Sequence, residues 1–232
     1  MPAILAAFLH GDKPAIPYGE QHSGTATYYE ANGNGSCMFD ALPEPQYVAA
    51  LNNVDYDDPV INGQSYDNAA MCGAYALVTG RNGSIRVKIV DRCDGGLCTK
   101  DHLDLSTEAF AEIDDLNAGY VPISWQLVSV PLEGPIWFRY KDGSSQWWTG
   151  IQVRNHRNPV AKVELLRNSA WETIPRTQYN YFIADEGFGA GCPTLRITDV
   201  FGNQLTETGT VCLDTDTVQQ LDWSGEGQFP PP

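Results

Sequence analysis

Positive charge is scarce in this 232-residue chain: 14 lysines and arginines stand against 29 aspartates and glutamates, a formal net charge of −15. A nucleic-acid binder neutralises phosphates with a basic surface, so that class of partner is excluded. An anionic polysaccharide or an anionic membrane is disfavoured as the main target for the same reason. A neutral polymer suits the balance better, as does a salty habitat that screens self-repulsion. No apolar run is long enough to cross a bilayer, so no membrane partner is expected. Residues 1–9 are apolar but short and lack a basic n-region, a poor match to a signal peptide; a mature secreted chain is expected. Metal-ligand patterns are missing as well. No Cys-x-x-Cys or His-x-x-x-His motif accompanies the cysteines, so neither a metal nor a cofactor is expected. The one full helix signal is in the stretch after Ser106.

What is present describes a folded, mostly β protein. Hydrophobic residues make up 42% and charged residues 19%, while 22 glycines and 15 prolines punctuate short apolar runs. Cys37, Cys72, Cys93 and Cys98 fall in the first half and Cys192 and Cys212 in the second. Even numbers in each half point to disulfides and an oxidising, extracellular compartment. The spacing favours Cys37 with Cys72, Cys93 with Cys98, and Cys192 with Cys212.

Residues 1–22, His22 included, read as a lead-in. A strand is expected over 24–29, a short apolar run over 47–51, a helical turn over 66–72, and strands over 74–79 and from Ser84 onward, joined through the hairpin pair Asn82-Gly83. Ser106 caps a helix with Phe110 and Ile113 on its inner face and Gly119 at its stop. A strand over 120–130 places Val121, Ile123, Trp125 and Leu127 on one side. Residues 131–135 read as a stiff linker, dividing a first domain, 23–130, from a second, 136–232. The second contains only short strands, the signature of a β-sandwich. Residues 225–232 read as a tail.

The chemistry-bearing stretch is Ser84 to Ser106. Ile85, Val87 and Ile89 alternate with Arg86 and Lys88, and the strand runs into Asp91; the segment Leu103-Asp104-Leu105 delivers a second aspartate. Paired carboxylates are what a site that grips or cleaves a sugar chain requires. The residues equally allow Asp91 to end a strand and Asp104 to bond a turn. In the second half, Trp147 and Trp148 are adjacent. Regular alternation sends Trp147 inward with Ile151 and Val153, and Trp148 outward with Gln152 and Arg154, whereas a later strand start or a bulge exposes both. With Tyr179 they offer aromatic faces on which pyranose rings stack.

Gly143-Ser144-Ser145-Gln146-Trp147-Trp148, then Ile151-Gln152-Val153-Arg154-Asn155-His156, resembles the second domain of bacterial expansins. Ala26-Thr27-Tyr28, Val90-Asp91 and the run from Leu103 to Phe110 resemble the first, so the likeness spans residues 24–229. The resemblance implies a six-stranded double-psi β-barrel followed by an immunoglobulin-like β-sandwich that acts as a carbohydrate-binding module. It implies a secreted protein that binds cellulose and loosens plant cell walls without hydrolysis. Thr27, Asp91 and Asp104 stand where the family's groove residues stand, and Trp147, Trp148 and Tyr179 where its cellulose-stacking rings stand, with Lys141 beside them. Two departures are visible. A groove tyrosine of some bacterial members is Cys93 here, in a loop closer to plant expansins and barwin-like proteins, and the chain is acidic where many members are basic.

Related endoglucanases on this barrel pair the acid at Asp104 with a base four residues after the first-strand threonine. Here that residue is Ala31; Glu30 is one place off, and Asp91 lies on the same side of the sugar as Asp104. A non-catalytic, monomeric binder of cellulose and related glucans is therefore expected. The alternatives are a weak endoglucanase or a peptidoglycan lytic transglycosylase, with xyloglucan, chitin or peptidoglycan as further targets, or a barwin-type binding module.

Overall fold

A computed structural model of the chain describes residues 14–43, 46–213 and 221–232. The first half folds as strands β1 (Ile16–Tyr29) and β2 (Val48–Asn52), helix α1 (Asn53–Asp57), the small ribbon β3 (Val60–Ile61) and β4 (Gln64–Ser65), strands β5 (Tyr75–Thr79), β6 (Ser84–Cys93) and β7 (Leu103–Ser106), helix α2 (Thr107–Ile113) and strand β8 (Val121–Ser129). Six of these strands close a barrel in the order β1-β7-β2-β6-β5-β8. Two pairs, β1 with β7 and β2 with β6, run parallel, and the remaining neighbours are antiparallel. Strand β2 is buried along all five residues, as a strand hydrogen-bonded on both sides at the centre of a barrel should be. Ser106 caps α2 by accepting from the Ala109 N–H, and Phe110 and Ile113 face the core.

The second half contributes β9 (Trp137–Tyr140), β10 (Thr149–Arg154), β11 (Val160–Arg167), β12 (Ala170–Ile174), β13 (Phe182–Ala184), β14 (Thr194–Asp199), β15 (Gln204–Thr208) and β16 (Leu221–Ser224). They form two four-stranded sheets, β13-β10-β9-β16 and β12-β11-β14-β15, packed around Phe138, Ile151, Val163, Leu195 and Ile197. The three disulfides join the cysteines that the spacing pairs: Cys37–Cys72, Cys93–Cys98 and Cys192–Cys212.

Several expectations are corrected. The lead-in is shorter than residues 1–22, because β1 already pairs with β8 at Ile16. Pro17 and Gly19 hide that strand by breaking its alternation, yet Tyr18 packs edge-on against Phe201 and His22 stacks 3.9 Å from Trp125. Residues 1–13 lie outside the described residues. The helical turn expected over 66–72 is a series of four-residue turns closed by bonds such as Cys72 N–H to the Ala69 carbonyl. The tail is not free: Phe229 is buried in the sandwich core, and Asn158 donates to the Pro230 carbonyl. Strand β10 begins two residues later than expected, at Thr149. Ser145 to Trp148 form a turn closed by the Ser145 N–H and the Trp148 carbonyl, so Trp147 points out, 68% exposed, and Trp148 is half-buried.

The opposite face of β10 also departs from alternation. Gln152 and Arg154, expected at the surface, are buried because the barrel covers them. Gln152 Nε2 donates to the Cys37 carbonyl at 2.8 Å, and Arg154 bonds Asp40 and the Met38 carbonyl. Arg139 shares Asp40 with Arg154. Gly73 of the barrel approaches His156 so closely that a Cβ there would lie 2.7 Å from the imidazole, at a backbone φ of +80°. Barrel and sandwich therefore meet through a polar, close-packed seam.

Candidate functional site

One rung of the barrel carries the candidate groove. Thr27 on β1 pairs with Asp104 on β7, Asp104 pairs with Ala50 on β2, and Ala50 pairs with Asp91 on β6. Partners across a ladder project to the same face, so Thr27, Asp104 and Asp91 share one floor with the small Ala50 between the two acids. Two inter-strand spacings separate Asp91 from Asp104, about 10 Å at Cα. The acids are thus neighbours across a gap rather than a touching pair. A register irregularity in β6 between Ile89 and Asp91 brings Asp91 into this row. Its carboxylate accepts from the N–H groups of Ser36, at 2.6 Å, and Arg92, at 2.8 Å, so the 32–36 loop is tied to the groove wall.

His102, which the sequence reading passed over, completes the cluster. Its ring is buried between Thr25, with Oγ1 2.9 Å from Nδ1, and Thr27, with Oγ1 3.0 Å from Nε2. Thr27 Oγ1 also donates to Asp104 Oδ1 at 2.6 Å. A hydroxyl has one proton. With that proton committed to an ionised Asp104, Thr27 accepts from His102 Nε2–H, and His102 Nδ1 accepts from Thr25. The polarity of the whole row, Thr25 to His102 to Thr27 to Asp104, is thereby fixed. Burial, opposed by the Asp104 charge, lowers the imidazole pKa, in keeping with a neutral ring that carries one N–H. The signal in the sequence was the two-residue spacing of Thr25 with Thr27 and of His102 with Asp104, which puts each pair on one face of an extended chain.

Burial raises the Asp104 carboxyl above its ordinary value, and the Asp91 charge adds to the rise, against the Thr27 bond and His102. A carboxyl whose folded pKa is raised favours folding most when protonated. Its contribution is complete below the unfolded value near 3.8 and is lost as pH rises through the folded value. Asp104→Asn should accordingly be more heat-stable than the parent at pH 7, with the gap closing as pH falls through the raised folded value towards 3.8. Melting curves across that range check this; a gap that widens on acidification would mean that the native site favours the carboxylate. Tyr29 belongs to the same environment. Its hydroxyl is buried without a hydrogen-bond partner among the described residues, and burial, then Asp91 and Asp104, push its pKa upward.

Ala31 lies two residues past the end of β1 and packs on the barrel core, while Glu30 is exposed outside the strand. The Cys93–Cys98 disulfide closes the loop between the two acids. Its sulfurs and a His102 ring nitrogen lie within 4.8 Å of one another, but sulfurs bonded to each other are not thiolate ligands for a metal.

The aromatic residues sit on the sandwich. Trp147 and Trp148 occupy the turn that enters β10, fixed by the Thr149 hydroxyl on the Ser145 carbonyl at 2.9 Å. Gly187 lies against the Gln146 carbonyl, where a Cβ would have no room. Tyr179, 37% exposed, stands in a loop that Thr177 closes through three bonds with Tyr181. The Lys141 ammonium lies 5.8 Å from the Tyr179 ring and 5.4 Å from the Tyr181 ring. Beside Tyr179, the Gln178 carbonyl accepts from the hydroxyl of Tyr56 in the barrel at 2.8 Å. Tyr56 in turn neighbours Arg92, the residue after Asp91. The Tyr179 end of the aromatic face is therefore joined to the Asp91 end of the groove.

Comparison with known proteins places this architecture. Residues 48–125 match a family model described as lytic transglycolase. Expansin-YoaJ of Bacillus subtilis is 31% identical over 228 residues, covering 98% of this chain and 94% of that protein. Expansin-like protein 5 of Dictyostelium discoideum is 29% identical over 81% of this chain and 78% of its own length. The crystal structure of a Clavibacter michiganensis expansin mutant in complex with cellohexaose superposes with a TM-score of 0.78 at 32% identity, over 92% of this chain and all of that one. Near-complete coverage in both directions, with the barrel and sandwich in the same order, shows that the chain belongs to the expansin family and is of the bacterial type.

Proposed function

We propose that this expansin is a secreted, monomeric protein that binds cellulose and related wall glucans and separates them from one another without hydrolysis. The observation that carries the reading is the one-sided rung. Thr27, Asp104 and Asp91 all project from a single floor, whereas inverting hydrolysis needs a base on the opposite face of the sugar from the acid. Ala31, packed on the barrel core, supplies no such base. In this reading Asp104, oriented by Thr27 and His102, takes hydrogen bonds from glucan hydroxyls that otherwise bind a neighbouring chain. Trp147, Trp148 and Tyr179 stack on the polymer surface, and Lys141 supports Tyr179. The cellohexaose bound to the Clavibacter relative supports a glucan as the ligand. Three disulfides suit an oxidising, extracellular setting.

A second reading, a lytic enzyme, is favoured by two observations: the raised pKa of Asp104, a property of general acids, and the match to the lytic transglycolase family over 48–125. A transglycosylase needs one acid/base, because a hydroxyl of the substrate replaces water. Incubation with cellulose, xyloglucan, chitin and peptidoglycan, read by sedimentation, reducing-end assay and mass spectrometry, separates the two. The expected result is sedimentation with cellulose and no soluble saccharide. Soluble products that disappear in Asp104→Asn would establish the lytic reading instead.

A further inference from the structure

A cavity of about 170 Å³ opens between barrel and sandwich, lined by none of the groove or stacking residues. Its walls bring Lys88 of β6 to Arg154 and His156 of the sandwich. The Lys88 ammonium lies 4.2 Å over the Phe39 ring and, among the described residues, has no hydrogen-bond acceptor and no carboxylate partner. Asp40 is the one carboxylate in the lining, and its oxygens are taken by Arg139 and Arg154. Burial, with the Arg154 charge and against the Asp40 charge, brings the Lys88 pKa down to about 8. The cavity thus holds one positive charge in excess, in a chain whose net charge is −15.

The other walls narrow the ligand. His156 Nδ1 lies 2.9 Å from the Asn158 carbonyl, which only accepts, so Nδ1 carries the proton. Burial keeps the ring neutral, its pKa brought down to about 3, and Nε2, beside Gly73, keeps a lone pair without a partner among the described residues. Leu132 and Trp137 supply an apolar surface.

We propose that this cavity is a binding site for a sugar carboxylate, a hexuronic acid residue. Its carboxylate pairs with Lys88 and the two N–H groups that Arg154 does not use elsewhere, a ring hydroxyl donates to His156 Nε2, and its C–H face rests on Leu132 and Trp137. A phosphate dianion exceeds the single excess charge and meets Asp40, and a neutral sugar leaves the ammonium unpaired. The chain's negative field does not oppose a lone carboxylate, because charges beyond about 8–10 Å are screened at physiological salt.

Titration of the full-length protein with sodium D-glucuronate, D-glucose, sodium benzoate and inorganic phosphate, followed by NMR of the Lys88 side chain and by calorimetry, tests this. Glucuronate should shift the Lys88 resonance at saturable concentration, glucose should not, and benzoate and phosphate should bind at least about tenfold more weakly, as the missing hydroxyl contact and the surplus charge require. Lys88→Met, which keeps the stem and removes the charge, should weaken glucuronate by about tenfold or more and leave sedimentation with cellulose unchanged. A Lys88 resonance indifferent to glucuronate, unchanged binding in Lys88→Met, or tighter binding of phosphate or benzoate than of glucuronate would each overturn the assignment; the first is read on the unaltered protein and does not depend on the variant folding.

Discussion

Asp104→Ala should reduce the extension of a clamped wall strip, or of a cellulose sheet under constant load, to the level of buffer alone, while sedimentation with cellulose stays at the parent level. Asp104 is oriented by a row of polarised bonds and, among the described residues, accepts from Thr27 alone, whereas the Asp91 carboxylate is held by the Ser36 and Arg92 N–H groups. Hydrogen bonds to a charged group contribute about 1.5–3 kcal/mol each, so one lost bond lowers groove occupancy by about 10- to 150-fold. The effect should fall on extension alone, because the aromatic face proposed to hold the polymer lies on the other domain. Extension by Asp104→Ala at half the parent rate or more would mean that the groove is not where glucans are separated.

The reciprocal result is expected of the double substitution Trp147→Ala with Trp148→Ala. Stacking of a flat ring on an aromatic side chain contributes about 1–3 kcal/mol per ring, so removing two should weaken adsorption to crystalline cellulose by about 30-fold or more. Fold stability should hardly change. Trp147 is 68% exposed and Trp148 half-buried, and the turn that carries them is held by Ser145, Thr149 and Gly187 rather than by the indoles. Depletion isotherms on cellulose, beside a melting curve, measure both quantities. Adsorption within threefold of the parent would place the cellulose contact elsewhere.

The barrel and the sandwich were legible in the sequence because their strands carry period-two burial over long stretches. Strand β8, with Val121, Ile123, Trp125 and Leu127 inward, is the clearest case. Reading failed where a partner from the other domain covered a face. Gln152 and Arg154 look like surface residues, and only the Cys37 carbonyl and Asp40, more than a hundred positions away in sequence, make their burial tolerable. It failed at Trp147 because a turn of four residues reverses the parity on which alternation depends. It missed β16, whose Trp223 stacks 4.0 Å from Phe138, because Gly225 and the prolines that follow resemble a tail. At the groove, the acids and Thr27 were found by their chemistry, but His102 was not. The two-residue spacing of His102 and Asp104 is its one local signal, and its role exists only because β1 and β7 run parallel in a register that sets Thr25 and Thr27 around it.

The bond from Tyr56 to the Gln178 carbonyl, together with the Asp40 clamp on Arg139 and Arg154, decides which partner must yield during wall loosening. A hinge between groove and aromatic face would let the protein bend to fit a crystalline surface and leave that surface at rest. If the groove and the aromatic face each hold a glucan, as proposed, the joined seam makes the distance between them a fixed template, and a glucan held at one end would reach the other only by leaving its place in the lattice. On the proposed reading the protein does no mechanical work of its own: thermal breathing of the polymer would supply the displacement, and the joined seam would keep it.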